Sequence, residues 1–169
     1  PSYLLTVVCL TSTFRTRLGA ELRSLAAKSE AMGRFLRHVR IVDIADVAGA
    51  RATDVILSMS YAKTTHGRLL QQFGVLENNG EPGGRGMLLD ALALADRHVD
   101  IVSAFGASDL DDDRLHQDGP KMLKVLLQWA EDLDEANVVR PAIKQTDENV
   151  LFNDLATRIR ERGLNVAVD

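Results

Sequence analysis

Four short, apolar, β-rich runs punctuate this chain, and the segments between them are too long for hairpin turns. The runs are YLLTVVCL (3–10), VRIVDI (39–44), VILSMS (55–60) and HVDIVSAF (98–105). Runs this short and this apolar suit strands buried on both faces, which is the habit of parallel sheets. Antiparallel neighbours can be joined by a tight turn, whereas parallel ones need a crossover. The pattern therefore predicts an α/β domain: a mostly parallel sheet flanked by helices.

The connections support this. Thr11, Ser12 and Thr13 are good N-cap residues, and Leu18, Leu22 and Leu25 mark one helical face over residues 14–28. Ser29 starts a second short helix that ends near residue 38. GGRG (83–86) leads into a third helix that runs almost directly into HVDIVSAF. Pro120 after Gly119 opens a fourth helix, in which Met122, Leu123, Leu126, Leu127, Trp129, Ala130 and Leu133 form a wide apolar face. Residues 61–86 are expected to be a long polar connection, turning at NNGEPGGRG. A linker is read over residues 135–147. Thr146 or Asp147 then caps a last helix with Val150, Leu151, Leu155 and Ile159 on one face, followed by Gly163 and a short strand, LNVAV.

The formal net charge of −4 excludes a polybasic nucleic-acid binder, so any such contact must come from a local patch. The single cysteine, Cys9, lies inside an apolar run and reads as a buried, reduced thiol, in keeping with a cytoplasmic protein. No basic segment precedes the first apolar run, so no signal peptide is expected, and no run is long enough to cross a membrane. Starting at Pro1 and ending just after a strand-like run, the chain is expected to be a piece of a longer protein.

Motifs that carry chemistry are few. There is no G-x-x-x-x-G-K-[ST] phosphate loop. GGRG before a helix could form an anion-binding nest or simply a flexible turn. The acidic run DLDDDR (109–114) starts like a calcium loop, but Arg114 stands at its sixth position and Pro120 at its twelfth, so a solvated turn is expected. His38, His66, His98 and His116 have no metal-ligand spacing, and no metal site is expected. Lys63, His66 and Arg68 cluster in YAKTTHGR just past a strand, where ligands gather in α/β domains. They are candidates for nucleic-acid backbone contact; ordinary solvation is the competing reading.

Two longer stretches carry a resemblance. VRIVDIADVAGARATDVILS (39–58) resembles motif V of superfamily 1 helicases of the RNA-surveillance type, roughly V-D-x-x-Q-G-x-E-x-D-x-V-I-x-S. GGRGMLLDALALADRHVDIVSAF (83–105) resembles their motif VI, G-x-R-R-L-N-V-A-x-T-R-A-R, and the strand after it. The connection between them and the helix of HQDGPKMLKVLLQWAE are similar too, and LLTVVCLTSTF is more weakly similar to motif IV. The resemblance covers about residues 39–134. It implies that residues 1–134 form the second RecA-like lobe of a P-loop ATPase, with ATP and magnesium held mainly by a first lobe upstream.

Departures fall on the family's nucleotide-facing positions. Its glutamine falls on Ala48, its glycine is kept as Gly49, and its glutamate falls on Arg51. The arginine that reaches the γ-phosphate falls on Leu94 and the next one on Asp96, while Arg85 and Arg97 remain nearby. Losing such an arginine removes roughly 10³–10⁵ in rate. The resemblance thus implies a retained scaffold with degenerate ATP chemistry and no catalytic residue. Leu94, three residues from Arg97, is expected to lie off the core-facing stripe, near the cleft between lobes. Residues 148–169 resemble the opening helix and strand of the restriction-endonuclease-like domains that follow such cores in large bacterial proteins; a terminal helix and strand packed on the lobe is the equal alternative. Three functions stay open: a helicase-related lobe that docks on a first lobe and on DNA or RNA, a non-catalytic protein-interaction module, and a lobe that delivers DNA to a nuclease.

Overall fold

The computed structural model describes residues 3–135. The chain runs β1 (Tyr3–Cys9), α1 (Ser12–Lys28), α2 (Glu30–Leu36), β2 (Val39–Asp43), β3 (Ala52–Ser58), α3 (Gly83–Ala93), β4 (Ala95–Val102) and α4 (Asp118–Glu135), with short 3-10 turns in the connections. The predicted fold class is the observed one. All four strands pair in parallel, in the order β2-β1-β3-β4. The chain leaves β1 to one side for β2, then crosses to the other side for β3, so the sheet has a switch point between β1 and β3.

Both faces of the sheet are covered, which is why the strands read as continuous apolar runs. Leu5, Val7, Cys9, Ile56 and Val102 face Leu18 and Leu22 of α1, with Phe35 and Leu36 beside them. Val8, Leu57, Met59 and Val42 face the larger core, filled by Met87, Leu88 and Ala91 of α3 and by Leu123, Leu126 and Leu127 of α4. Thr11 caps α1 by accepting from the Phe14 amide at 3.3 Å, and Ser29 caps α2 by accepting from Met32 at 3.3 Å.

The long connection after β3 is packed, not structureless. Tyr61 donates its hydroxyl to the Phe73 carbonyl at 2.7 Å and meets the Phe73 ring edge-on. Phe73 and Leu76 are fully buried, and Glu77 accepts from the Phe73 amide at 2.9 Å. This anchors the 3-10 turn Gly74–Glu77 against the starts of α3 and α4. A Cβ built on Gly84 would fall 1.9 Å from the Leu76 carbonyl oxygen, and one on Gly119 would fall 2.0 Å from the same atom. Two helix starts therefore close on one backbone carbonyl, and only glycine fits on either side.

Several expected boundaries move. β4 starts at Ala95, three residues before HVDIVSAF, because the Leu94 carbonyl accepts from the Ala52 amide at 2.9 Å and starts the ladder. Asp96, Arg97 and His98 are exposed on this edge strand, so their polarity hid it. β3 spans Ala52–Ser58 instead of 55–60, since Ser60 takes φ +58° and leaves the sheet. α4 starts at Asp118, which puts Pro120 within its first turn. The predicted linker, 135–147, lies beyond the described residues save for Glu135, which closes α4; the last helix and strand, within 148–169, lie outside them. No described helix is long and apolar enough to cross a membrane.

Candidate functional site

The two resembling segments meet at the seam where β3 and β4 begin. Val47 is buried and pins a turn in which Ala50 donates to the Val47 carbonyl at 3.1 Å. Gly49 takes φ +72°, and Ala48, Gly49 and Arg51 are exposed on this turn. From it Arg51 reaches Asp96 on β4, Nη1 to Oδ1 at 3.2 Å. One residue on, Arg97 Nε lies 3.7 Å from Asp54 Oδ1 on β3. Three of the family-matched positions, Arg51, Asp96 and Arg97, thus lie together on a solvated rim.

Leu94 does not join them. Its side chain is 2% exposed and belongs to the larger core, so the expectation that it lies off the core-facing stripe is corrected. The helix stops at Ala93, and the turn into β4 rotates Leu94 inward. Helical counting does not reach residue 97, because the helix has already ended. Arg85 is exposed on the first turn of α3. Neither reading of GGRG describes its two leading glycines: Gly83 and Gly84 are buried, and the Gly84 amide donates to the Asn78 carbonyl at 2.8 Å. They are packing residues, closed to an anion and not loose.

Lys63, His66 and Arg68 follow β3, whereas the seam leads into it, so the two candidate sets sit at opposite ends of that strand. Lys63 is paired with Asp109 at 2.8 Å and is not a free cation. Residues 63–69 form a small loop: Lys63 bridges to Leu69, and Thr64 exchanges backbone bonds with Arg68 and Gly67. His66 and Arg68 are exposed on it. Three of the four acids of DLDDDR are used within the protein. Asp109 accepts from the Gly106 amide at 2.9 Å, Asp111 accepts from Asp113, and Asp112 pairs with Lys124 at 2.8 Å.

At the switch point, where open α/β sheets bind ligands, the crevice is stitched by the chain itself. The Leu10 amide donates to Ser60 Oγ at 3.1 Å, and Ser60 Oγ donates to the Ser58 carbonyl at 3.0 Å. Asp43, at the end of β2, is held by Arg15 Nε and by Ser12 Oγ, each at 3.0 Å from Oδ2. Sequence reading missed this set; an aspartate ending an apolar strand is its only signal. Cys9 lies in the row between Asp43 and Ser58. Burial, with the Asp43 charge adding to it, pushes its thiol up from 9.0 to about 12, so it is inert as a nucleophile. Burial likewise raises the Tyr61 hydroxyl far above its ordinary range. Among the described residues, no group of three or more His, Cys, Asp or Glu is placed to hold a metal ion.

No protein-family model, no curated protein and no solved structure matches the chain. Chemical function must therefore be argued from the geometry alone. In that geometry Leu94 is sealed in the core, and Arg51 and Asp96 pair with each other.

Proposed function

We propose that this chain is a second RecA-like lobe of a cytoplasmic, helicase-related protein, retained as a scaffold after its nucleotide-facing chemistry has degenerated. The observation that carries the reading is the Arg51–Asp96 pair. The resemblance puts a glutamate at position 51 and an arginine at position 96. Here both signs are reversed, and Arg51, on the turn before β3, meets Asp96 on β4. A paired reversal keeps the seam intact while abolishing the charges that would act on a nucleotide. Parallel β3 and β4, laid side by side in the order the two motifs require, support the same reading.

In this role the lobe would dock against a first lobe of the same polypeptide, and any DNA or RNA contact would be slight. A second reading, a protein-interaction module, is favoured by one feature, an exposed apolar stripe on α4. The nuclease-delivery reading has no such support among the described residues.

Two measurements test the proposal. The purified chain is expected to show no ATP turnover and no nucleotide-dependent rise in melting temperature; turnover that is lost on a substitution within this chain overturns it. Sequencing the intact cellular protein by top-down mass spectrometry is expected to reveal a G-x-x-x-x-G-K-[ST] segment upstream of Pro1. A polypeptide without a first lobe overturns the lobe reading and leaves the interaction module.

A further inference from the structure

Among the described residues the sheet ends on β2 at one side and on β4 at the other, and the two edges are defended unequally. An edge strand offers unpaired N–H and C=O groups to any further strand, and charge in water is a common protection. β4 has it: Asp96, Arg97 and His98 stand exposed along its start. β2 does not. Val39 and Ile41 are half-buried on it, and its one acid, Asp43, is held by Arg15 and Ser12. The Leu5 amide on β1 donates to the His38 carbonyl, which sets the alternation. Arg40 and Val42 turn their backbone groups toward β1, and Val39 and Ile41 turn theirs outward.

A groove of about 190 Å³ runs beside this edge, between β2 and α1. Leu22 and Ala26 of α1, Leu36 at the end of α2, and Val39 and Ile41 of β2 make it apolar. An apolar cavity of about 150 Å³ holds a benzene-sized group, so a valine or leucine side chain fits here. Arg23 is the charged member of the lining; it is exposed, and its Nη1 lies 3.5 Å from the place of a Cβ on Gly19. Arg37 and His38 are exposed on the turn between Leu36 and Val39. From residue 12 to residue 40, seven Lys or Arg stand against two acids, Glu21 and Glu30, in a chain of net charge −4. Glu30 is already taken up by Arg34.

These features select one occupant. The open edge takes an extended chain, the groove takes its alternate apolar side chains, and the basic surround takes acids. A single nucleic-acid strand asks for aromatic platforms, and no aromatic side chain lines the groove. A second copy pairing β2 with β2 would set each basic edge against its like. We infer that β2 accepts an added strand from an acidic, extended segment of a partner protein, with alternate apolar side chains in the α1–β2 groove and carboxylates on Arg23 and Arg37. The groove lies on the α1 side of the sheet, opposite α3 and α4, and its use does not depend on the helicase reading.

The probe is a fluorescein-labelled nonapeptide that alternates valine with glutamate, titrated into the full chain and read by anisotropy. Saturable binding that weakens in high salt is expected. Arg23→Glu should weaken it about tenfold, because reversal turns an attraction into a repulsion. Arg114→Glu, in the connection before α4, should leave it unchanged. Backbone pairing has its own readout: amide exchange at Val39 and Ile41 should slow about tenfold or more in the complex, with Arg40 and Val42 little changed. A probe with proline at its centre cannot complete the ladder and should bind about tenfold more weakly; this change leaves the protein's own fold untouched. Absence of binding overturns the inference. So does binding that survives lysine in place of the probe's glutamates, or binding that leaves exchange at Val39 and Ile41 unaltered. An oligothymidylate that binds more tightly than the peptide, and is itself weakened by Arg23→Glu, gives the surface to nucleic acid and overturns it as well.

Discussion

The seam between β3 and β4 and the junction where α3, α4 and the Gly74–Glu77 turn meet are both built from the stretches that resemble helicase motifs, yet they obey different constraints. At the junction, buried Gly84 and Gly119 close on the Leu76 carbonyl, and no side chain larger than hydrogen fits. At the seam, Arg51 and Asp96 are 67% and 53% exposed, and water competes for every charge. The first is fixed by packing, which admits almost no change; the second is fixed by electrostatics at a surface, which tolerates far more. The two are held by forces of different stringency, so substitutions at the junction should cost more than substitutions at the seam.

Leu94 tests the contrast most severely, since it belongs to the seam in sequence and to the core in space. Replacing it with arginine removes roughly 2 kcal/mol of apolar burial and places an unpaired charge in the interior, a further penalty of several kcal/mol. Typical domains are stable by only about 5–15 kcal/mol. Leu94→Arg is expected to unfold the chain or leave it insoluble, with loss of the cooperative thermal transition. A soluble variant with an unchanged melting temperature would show that position 94 belongs to the rim after all. An arginine at position 94, which the resemblance would call for, is thus first of all a structural lesion.

Next in size are Gly84→Ala and Gly119→Ala. Each Cβ would strike the Leu76 carbonyl, a backbone atom that cannot rotate away. Overpacking of this kind costs about 1–3 kcal/mol, occasionally more, and the upper end is expected here. Gly19 is the control, because its Cβ would meet only the flexible end of Arg23 at 3.5 Å. Gly19 is half-buried on α1 with room for a methyl group, so Gly19→Ala should be neutral or stabilising through helix propensity. Denaturant midpoints measured on the three variants check the ranking; equal values would mean that the junction relaxes as easily as a surface.

The same contrast explains what the sequence could and could not disclose. Strands covered on both faces, such as 3–10 and 39–44, announce themselves through composition, and capped helices through Thr11 and Ser29. β4 begins ahead of its apolar run because an edge strand with Asp96, Arg97 and His98 in water has no apolar signature at its start. The inward turn of Leu94 depends on a hydrogen bond to Ala52, forty-two positions away in the chain (94 − 52), and no local pattern encodes it. Lys63 looked like a free cation because its partner, Asp109, comes from a different connection. Among the candidate residues, sequence order puts Ala48, Gly49 and Arg51 just ahead of β3 but reads Arg97 as the end of a helix; its place on β4 and the pairing of Arg51 with Asp96 needed coordinates.

That pair carries the smallest expected effect and the sharpest test of the seam. Exposed ion pairs contribute about 0–1 kcal/mol, and the contact here is a single 3.2 Å bond between side chains more than half in water. Arg51→Ala and Asp96→Ala should each shift the melting temperature by no more than a few degrees. A double-mutant cycle should give a coupling below about 1 kcal/mol, shrinking further in high salt because the charges are screened. The informative variant is the exchange Arg51→Asp with Asp96→Arg. If the seam needs only opposite charges across β3 and β4, the exchanged pair should match the original within error, while either single reversal is weaker because it sets like charges face to face. An exchanged pair much less stable than the original would mean that neighbouring charges, Arg97 and Asp54 first among them, fix the sign. The reversal would then be a constraint of the present structure, and the argument that it records drift on a tolerant rim would fail.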